Sequence, residues 1–308
     1  MGRTQNSSLK FVNEGFGAHN RQVKSKRYSA LILAGICFGS TGTAQALGPD
    51  GISPLAVGSA RLICGALLLW VFTLTKNSKK SKIASTDLWL AAIGFTIYQL
   101  AFFSAVKSTG VSIGTVTALG SAPALTGLIS WLINREKPTG RWFVATIITT
   151  LGIIVLSNAK GFSEFNLNGF MMAIAAGAAF SLFAVTSKRA LNTGIDSTLA
   201  MSKIFLLAAL LGTPFLFVGQ FSPFATTGGV VMILWLGLVP TALAYIAYGY
   251  GLHGVRASTS STLILSEPAT ATLLAAVVLN ESLNTRSWTG IAIIALGLIY
   301  LSQEKTKA

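Results

Sequence analysis

Ten times between residues 28 and 303 the chain returns to an apolar run of 18 or more residues, with few charges inside any of them. A helix needs about 17 to 25 such residues to cross the hydrocarbon core of a bilayer. Lipid admits only helices and closed barrels as spanning structures, because nothing else satisfies every backbone polar group internally. The runs cover 28–47, 54–75, 86–107, 110–133, 140–158, 168–187, 197–219, 230–251, 256–279 and 286–303. Only 10% of the 308 residues are charged, against roughly a quarter in soluble domains, so a water-soluble fold is excluded. The expected fold is an all-α polytopic membrane protein with ten transmembrane helices.

Ten crossings place both termini on one side, and the positive-inside rule checks the count. Of the 23 Lys and Arg, 18 fall on the terminus side. They are the six of residues 1–27, Lys76, Lys79, Lys80 and Lys82, Arg135, Lys137 and Arg141, Lys188 and Arg189, Arg256, and Lys305 and Lys307. The far side holds Lys107, Lys160 and Arg286, while Arg61 and Lys203 lie within spans. A missed span would scramble this alternation, so the split supports cytoplasmic termini in a cell membrane. Residues 1–27 are polar and basic, with no short apolar core and cleavage site, and read as a flexible cytoplasmic tail, with 304–308 as its C-terminal counterpart. The net charge of +14 lies between spans rather than in an aromatic-interleaved patch, which argues against nucleic acid as a partner. Cys37 and Cys64 sit inside apolar runs, offering neither a disulfide framework nor a metal cluster. No cofactor is expected.

The chain also repeats itself. At an offset of 145 residues Ser121, Pro123, Ala124, Glu136, Arg141 and Gly152 fall on Ser266, Pro268, Ala269, Glu281, Arg286 and Gly297 without a gap. Nearer the front of each half an offset of 142 pairs Phe38 with Phe180 and Arg61 with Lys203. Two five-helix repeats, 28–159 and 160–303, follow. Five being odd, the second must cross in the opposite sense, which is the inverted-repeat architecture of many secondary transporters.

The two repeat endings, SAPALTGLISWLINREKPTGRWFVATIITTLGIIVLS and SEPATATLLAAVVLNESLNTRSWTGIAIIALGLIYLS, resemble those of EamA-type permeases of the drug/metabolite transporter superfamily. The resemblance includes a proline in the fourth and ninth helices, a glutamate just after each, and a glycine in the fifth and tenth. GICFGSTGTAQAL and PLAVGSARLICGALLL in the first two helices fit as well. It implies a carrier with a central cavity between helices, moving amino acids and other small metabolites, often outward. One departure stands out, since Ala122 occupies the position equivalent to Glu267.

Glu267 lies mid-span, where a charge costs several kcal/mol unless paired or protonated. It reads either as a proton-coupling or amine-binding carboxylate, or as a glutamate bonded to neighbouring Ser and Thr that stabilises a kink at Pro268, whose ring frees the carbonyl of Ile264. Arg61 and Lys203 sit one to two turns inside their helices, positions from which long side chains snorkel to headgroups or meet carbonyls of another helix. Pointing inward, either would favour an anionic group on a substrate. Thr41 and Gln45, Tyr98 and Gln99, Ser121 and Ser266, and Tyr245 are further candidates for lining a substrate cavity, the tyrosines because they join an apolar ring to a hydroxyl. Gly35 with Gly39, and Gly110, Gly114 and Ala118, have the four-residue spacing of close helix packing. Pro123, Pro240 and Pro268 mark expected bends.

No constellation for catalysis appears, and no GxxxxGK[ST] loop for nucleotide, so an enzyme is not expected. The reading is a secondary transporter for small polar or amphipathic metabolites such as amino acids, by alternating access, with export and proton coupling as expectations. Its partners are a small-molecule substrate and the lipid bilayer, and a homodimer stays open. The alternatives are a passive channel or facilitator, and a non-transporting scaffold or sensor.

Overall fold

The structure is a computed structural model describing residues 3–74, 85–158, 166–218 and 222–303, with the backbone alone for 3–21 and 110–113. Lys76, Lys79, Lys80, Lys82, Lys160, Lys305 and Lys307 of the charge argument, and the 304–308 tail, lie outside the described residues. The helices are α1 (Arg3–Ala46), α2 (Pro54–Leu74), α3 (Ser85–Asn134), α4 (Gly140–Asn158), α5 (Leu167–Asn192), α6 (Ser197–Gly212), α7 (Thr227–Gly237), α8 (Ala244–His253), α9 (Ala257–Leu263), α10 (Ser266–Val278) and α11 (Thr285–Ser302). Among the described residues nine spans, all beyond α1, are long and apolar enough to cross a membrane, and α1 carries the first apolar run, 28–47. Residues 3–27, expected as a tail, are helical and continuous with that first span. Polar caps start several helices: Asn166, Asp196, Thr226 and Asn284 accept from the backbone N–H of Gly169, Leu199, Gly229 and Ser287.

The third and fourth spans were expected as separate helices, and they follow one another with no extended loop between them, as the single helical stretch α3. The chain turns back on itself within α3, between Val106 and Gly114. A Cβ on Gly114 would fall 3.0 Å from the Val106 backbone, and residues eight apart in a straight helix would be about 12 Å apart. The absent side chain lets the two arms close, and α5 packs along both: Gly94 lies against Ala179 and Phe183 on one arm, Gly177 against Ala118 and Ala122 on the other.

Contacts made twice reveal the repeat in three dimensions. A Cβ on Gly152 would fall 2.8 Å from Ile294 N, and one on Gly297 would fall 3.1 Å from Thr149 N, the same contact shifted by 145 residues. Gly177 sits on Ala122 N at 3.4 Å, and its counterpart Gly35 sits on Glu267 N at 3.3 Å. Phe38 meets Tyr245 at 4.9 Å between ring centroids, and Phe180 meets Tyr98 at 5.3 Å. Arg135 and Asn280, 145 apart, both take a left-handed backbone, with φ of 57 and 55, and end their helices the same way. The N–H of Glu136 reaches back to Ser130 O and that of Glu281 to Ala275 O, the closing bond of a Schellman motif. The fold is therefore two five-helix repeats inverted with respect to one another.

Both halves share one core. Phe95 is at its centre, with ring centroids 4.7 Å from Phe205, 5.2 Å from Phe183 and 5.4 Å from Tyr245. Toward the terminus side the helices seal against each other. Residues 258–262 are all buried. The hydroxyls of Thr126, Ser181 and Ser261 link at 2.8–2.9 Å, Thr146 meets Thr262 at 2.9 Å, and the Trp142 indole donates to Ser258 O at 2.9 Å. The Lys188 ammonium donates to the last carbonyls of α8, Leu252 and His253, at 2.9 and 2.8 Å, where a helix end favours a cation.

Candidate functional site

α2 presents Gly58, Arg61 and Gly65 along one inward stripe, three and four residues apart. The two glycines admit neighbours: a Cβ on Gly58 would fall 2.9 Å from the Gln99 amide nitrogen, and one on Gly65 2.6 Å from Thr241. Into that space Arg61 donates Nη2 at 2.8 Å and Nε at 3.3 Å to the one oxygen of Gln99, which is buried. The guanidinium thus turns inward instead of snorkelling. Lys203, its counterpart in the second repeat, lies on the exposed face of α6, as a snorkelling side chain does.

Glu267 is reached from the other wall. The α9–α10 span breaks at Ile264–Leu265, just ahead of Pro268. The Ile264 carbonyl that the proline ring deprives of its usual partner instead accepts from the Glu267 backbone N–H at 2.8 Å. The kink is therefore satisfied by backbone, and the carboxylate makes no hydrogen bond or ion pair among the described residues, contrary to the kink-stabilising alternative. The glutamate backbone packs on α1, where a Cβ on Gly39 would fall 2.9 Å from its carbonyl oxygen. From there Phe38 reaches Tyr245, Tyr245 reaches Phe95, and Phe95 reaches Tyr98 at 5.9 Å, the neighbour of Gln99. Gln99, which holds Arg61, follows Tyr98 in sequence, and Gly39, which faces the Glu267 carbonyl, follows Phe38, so both charged residues border the same cluster of rings. The result is a cation braced by an amide, an anion on a separate helix, and two phenol rings in the aromatic cluster that both helices border.

Other candidates fall elsewhere. The Ser266 hydroxyl turns to Ile32 O at 3.3 Å in the α1 contact, and that of Ser121 to Ala118 O at 3.2 Å beside Gly177, so both serve helix packing. Thr41 and Gln45 are half-buried, and their side chains make no hydrogen bond among the described residues. One residue earlier, Ser40 accepts from the Trp235 indole at 3.2 Å, a contact that neither polarity nor spacing signalled. Of the three prolines, Pro123 stays inside a continuous helix and Pro268 follows a break. Pro240 occupies a π-helical turn, Leu238–Leu243, between α7 and α8, where the Thr241 hydroxyl donates to the Leu236 carbonyl at 2.7 Å and so caps the group that the proline leaves unpaired. Phe95, Phe183 and Phe205 were missed because an apolar ring on an apolar helix carries no sign of which way it faces. Cys37 and Cys64 are half-buried and free, as packing residues.

The EamA-like transporter family model matches residues 26–158 and again 167–303. An uncharacterized transporter of Bacillus subtilis, YwfM, is 36% identical over 288 residues, covering 92% of this chain and 97% of its own. The uncharacterized inner membrane transporter YedA of Escherichia coli is 22% identical over 289 residues, covering 90% of this chain and 91% of its own. One solved crystal structure shares the fold with a TM-score of 0.77 at 18% identity, over 92% of this chain and 98% of that one. The chain is a membrane transporter that belongs to the EamA-like transporter family.

Proposed function

We propose that the protein is a secondary carrier of the cytoplasmic membrane, with both termini in the cytoplasm, that exports small polar or amphipathic metabolites such as amino acids by alternating access. The observation that carries this reading is the inward turn of Arg61 onto buried Gln99 together with Glu267 on the α10 segment that packs against α1 of the other repeat, since inverted-repeat carriers hold substrate where the repeats meet. The terminus-side seal of hydroxyls and Lys188 supports one of the two access states. Proton coupling rests on Glu267, whose carboxylate makes no salt bridge or hydrogen bond among the described residues and whose kink does not need it. In proteoliposomes Glu267→Gln is expected to cut transport at least tenfold and to flatten its pH dependence while leaving expression intact. Transport by this variant equal to wild type at every pH would remove the coupling role. Saturable flux with counterflow identifies a carrier, and linear flux without counterflow a channel.

A further inference from the structure

Resting on that carrier reading, we propose that Arg61 and Glu267 are the two poles of a zwitterion receptor. Arg61, aimed by Gln99, takes the carboxylate of a small substrate, Glu267 takes its ammonium group, and Tyr98 and Tyr245 face the apolar part.

Three observations converge on it. In a low-dielectric interior, opposite charges gain most by direct contact, and a buried ion short of partners is costly. A pair retained for stability alone would close into a salt bridge. Here the guanidinium places two donors on a single neutral oxygen, and the carboxylate makes no hydrogen bond or ion pair among the described residues. Each ion is left to be completed by a ligand of the opposite sign, and a carboxylate suits the planar fork of arginine.

The second observation is the repeat. The fold places the same helices at the equivalent sites, yet Ala122 stands where Glu267 does, buried against Gly177, and Lys203 stands where Arg61 does, on the exposed face of α6. The scaffold therefore closes in one half without either interior charge, so packing does not demand them in the other. A ligand with unlike ends bound between two similar halves requires such an asymmetry.

The third is local. The backbone N–H of Glu267 satisfies the Ile264 carbonyl, and Gly58 leaves space for the Gln99 amide beside Arg61. Local structure positions both poles without consuming the carboxylate.

The test uses the full chain, purified in detergent and followed by thermal melting. The probes are an equimolar mixture of the twenty common amino acids, the corresponding amino-acid amides, which lack the carboxylate, and the corresponding carboxylic acids without the amine. The mixture is expected to raise the melting temperature and the two truncated sets to fail. Arg61→Gln should weaken the response by about tenfold to a hundredfold in concentration, Arg61→Lys should restore part of it, and Lys203→Gln should respond as wild type. The proposal is overturned if either truncated set stabilises as well as the amino acids, if Arg61→Gln responds as wild type while remaining folded, or if the mixture produces no shift. Counterflow of another labelled solute by a protein blind to the mixture would keep the carrier reading and remove this one. Absence of counterflow for every solute tried would remove the carrier reading itself.

Discussion

At the residue scale, the glycines of α1 separate two roles that look alike on paper. Gly39 is closed in by α10, with Glu267 O and Ala271 N both 2.9 Å from where a Cβ would be, whereas nothing lies within 4 Å of a Cβ on Gly42. Backbone cannot yield as a flexible side chain does. Gly39→Ala is therefore expected to destabilise by about 1 to 3 kcal/mol, and Gly42→Ala to be neutral or to stabilise by up to about 1 kcal/mol through helix propensity. Melting of the two purified variants checks both signs, and equal midpoints would contradict the α1–α10 packing. The sequence marked Gly35 and Gly39 as a packing pair by spacing alone. It could not mark the direction of Arg61, because depth along a helix is legible in one dimension while azimuth depends on neighbours as distant in sequence as Gln99, 38 residues on.

At the scale of the element, Pro240 and Pro268 acquire their outcomes from what takes over the orphaned carbonyl. In the span of α7 and α8 the substitute is the Thr241 hydroxyl on Leu236, buried and 2.7 Å away. Thr241→Val keeps the shape and removes the donor, which is expected to cost about 1 to 3 kcal/mol and to lower the melting midpoint, with Thr241→Ser recovering most of it. A value for valine indistinguishable from wild type would mean that the π turn holds without its cap. Spans, and the breaks at Pro240 and Pro268, were legible because hydropathy and proline are local signals. The tight reversal within α3 was not, since it depends on the close approach of Gly114 to Val106, nor was the terminus-side network of Thr126, Ser181 and Ser261, since those hydroxyls come from three different helices. Of the candidate site, Glu267, Gln99, Tyr98 and Tyr245 were named from sequence, whereas Ser121 and Ser266 turned out to serve close helix contacts.

For the whole molecule, the inversion makes a sharp topological statement. The loops that follow the two Schellman endings are equivalent in the repeat and must lie on opposite sides of the bilayer. In a background without Cys37 and Cys64, an impermeant maleimide added to intact cells is expected to label Ser282→Cys and not Lys137→Cys, both exposed positions. Labelling of both from one side would contradict an odd number of crossings between them. The doubled contact at Gly152 and Gly297 carries a consequence of its own. Each half presents a surface together with the complement of that surface, so a gene of half the length would encode a polypeptide able to clasp a twin, provided the twin were threaded upside down. Fusing the two copies removes the need for one product to insert both ways, and it frees one copy to gain an acid or turn a base inward without its sibling following.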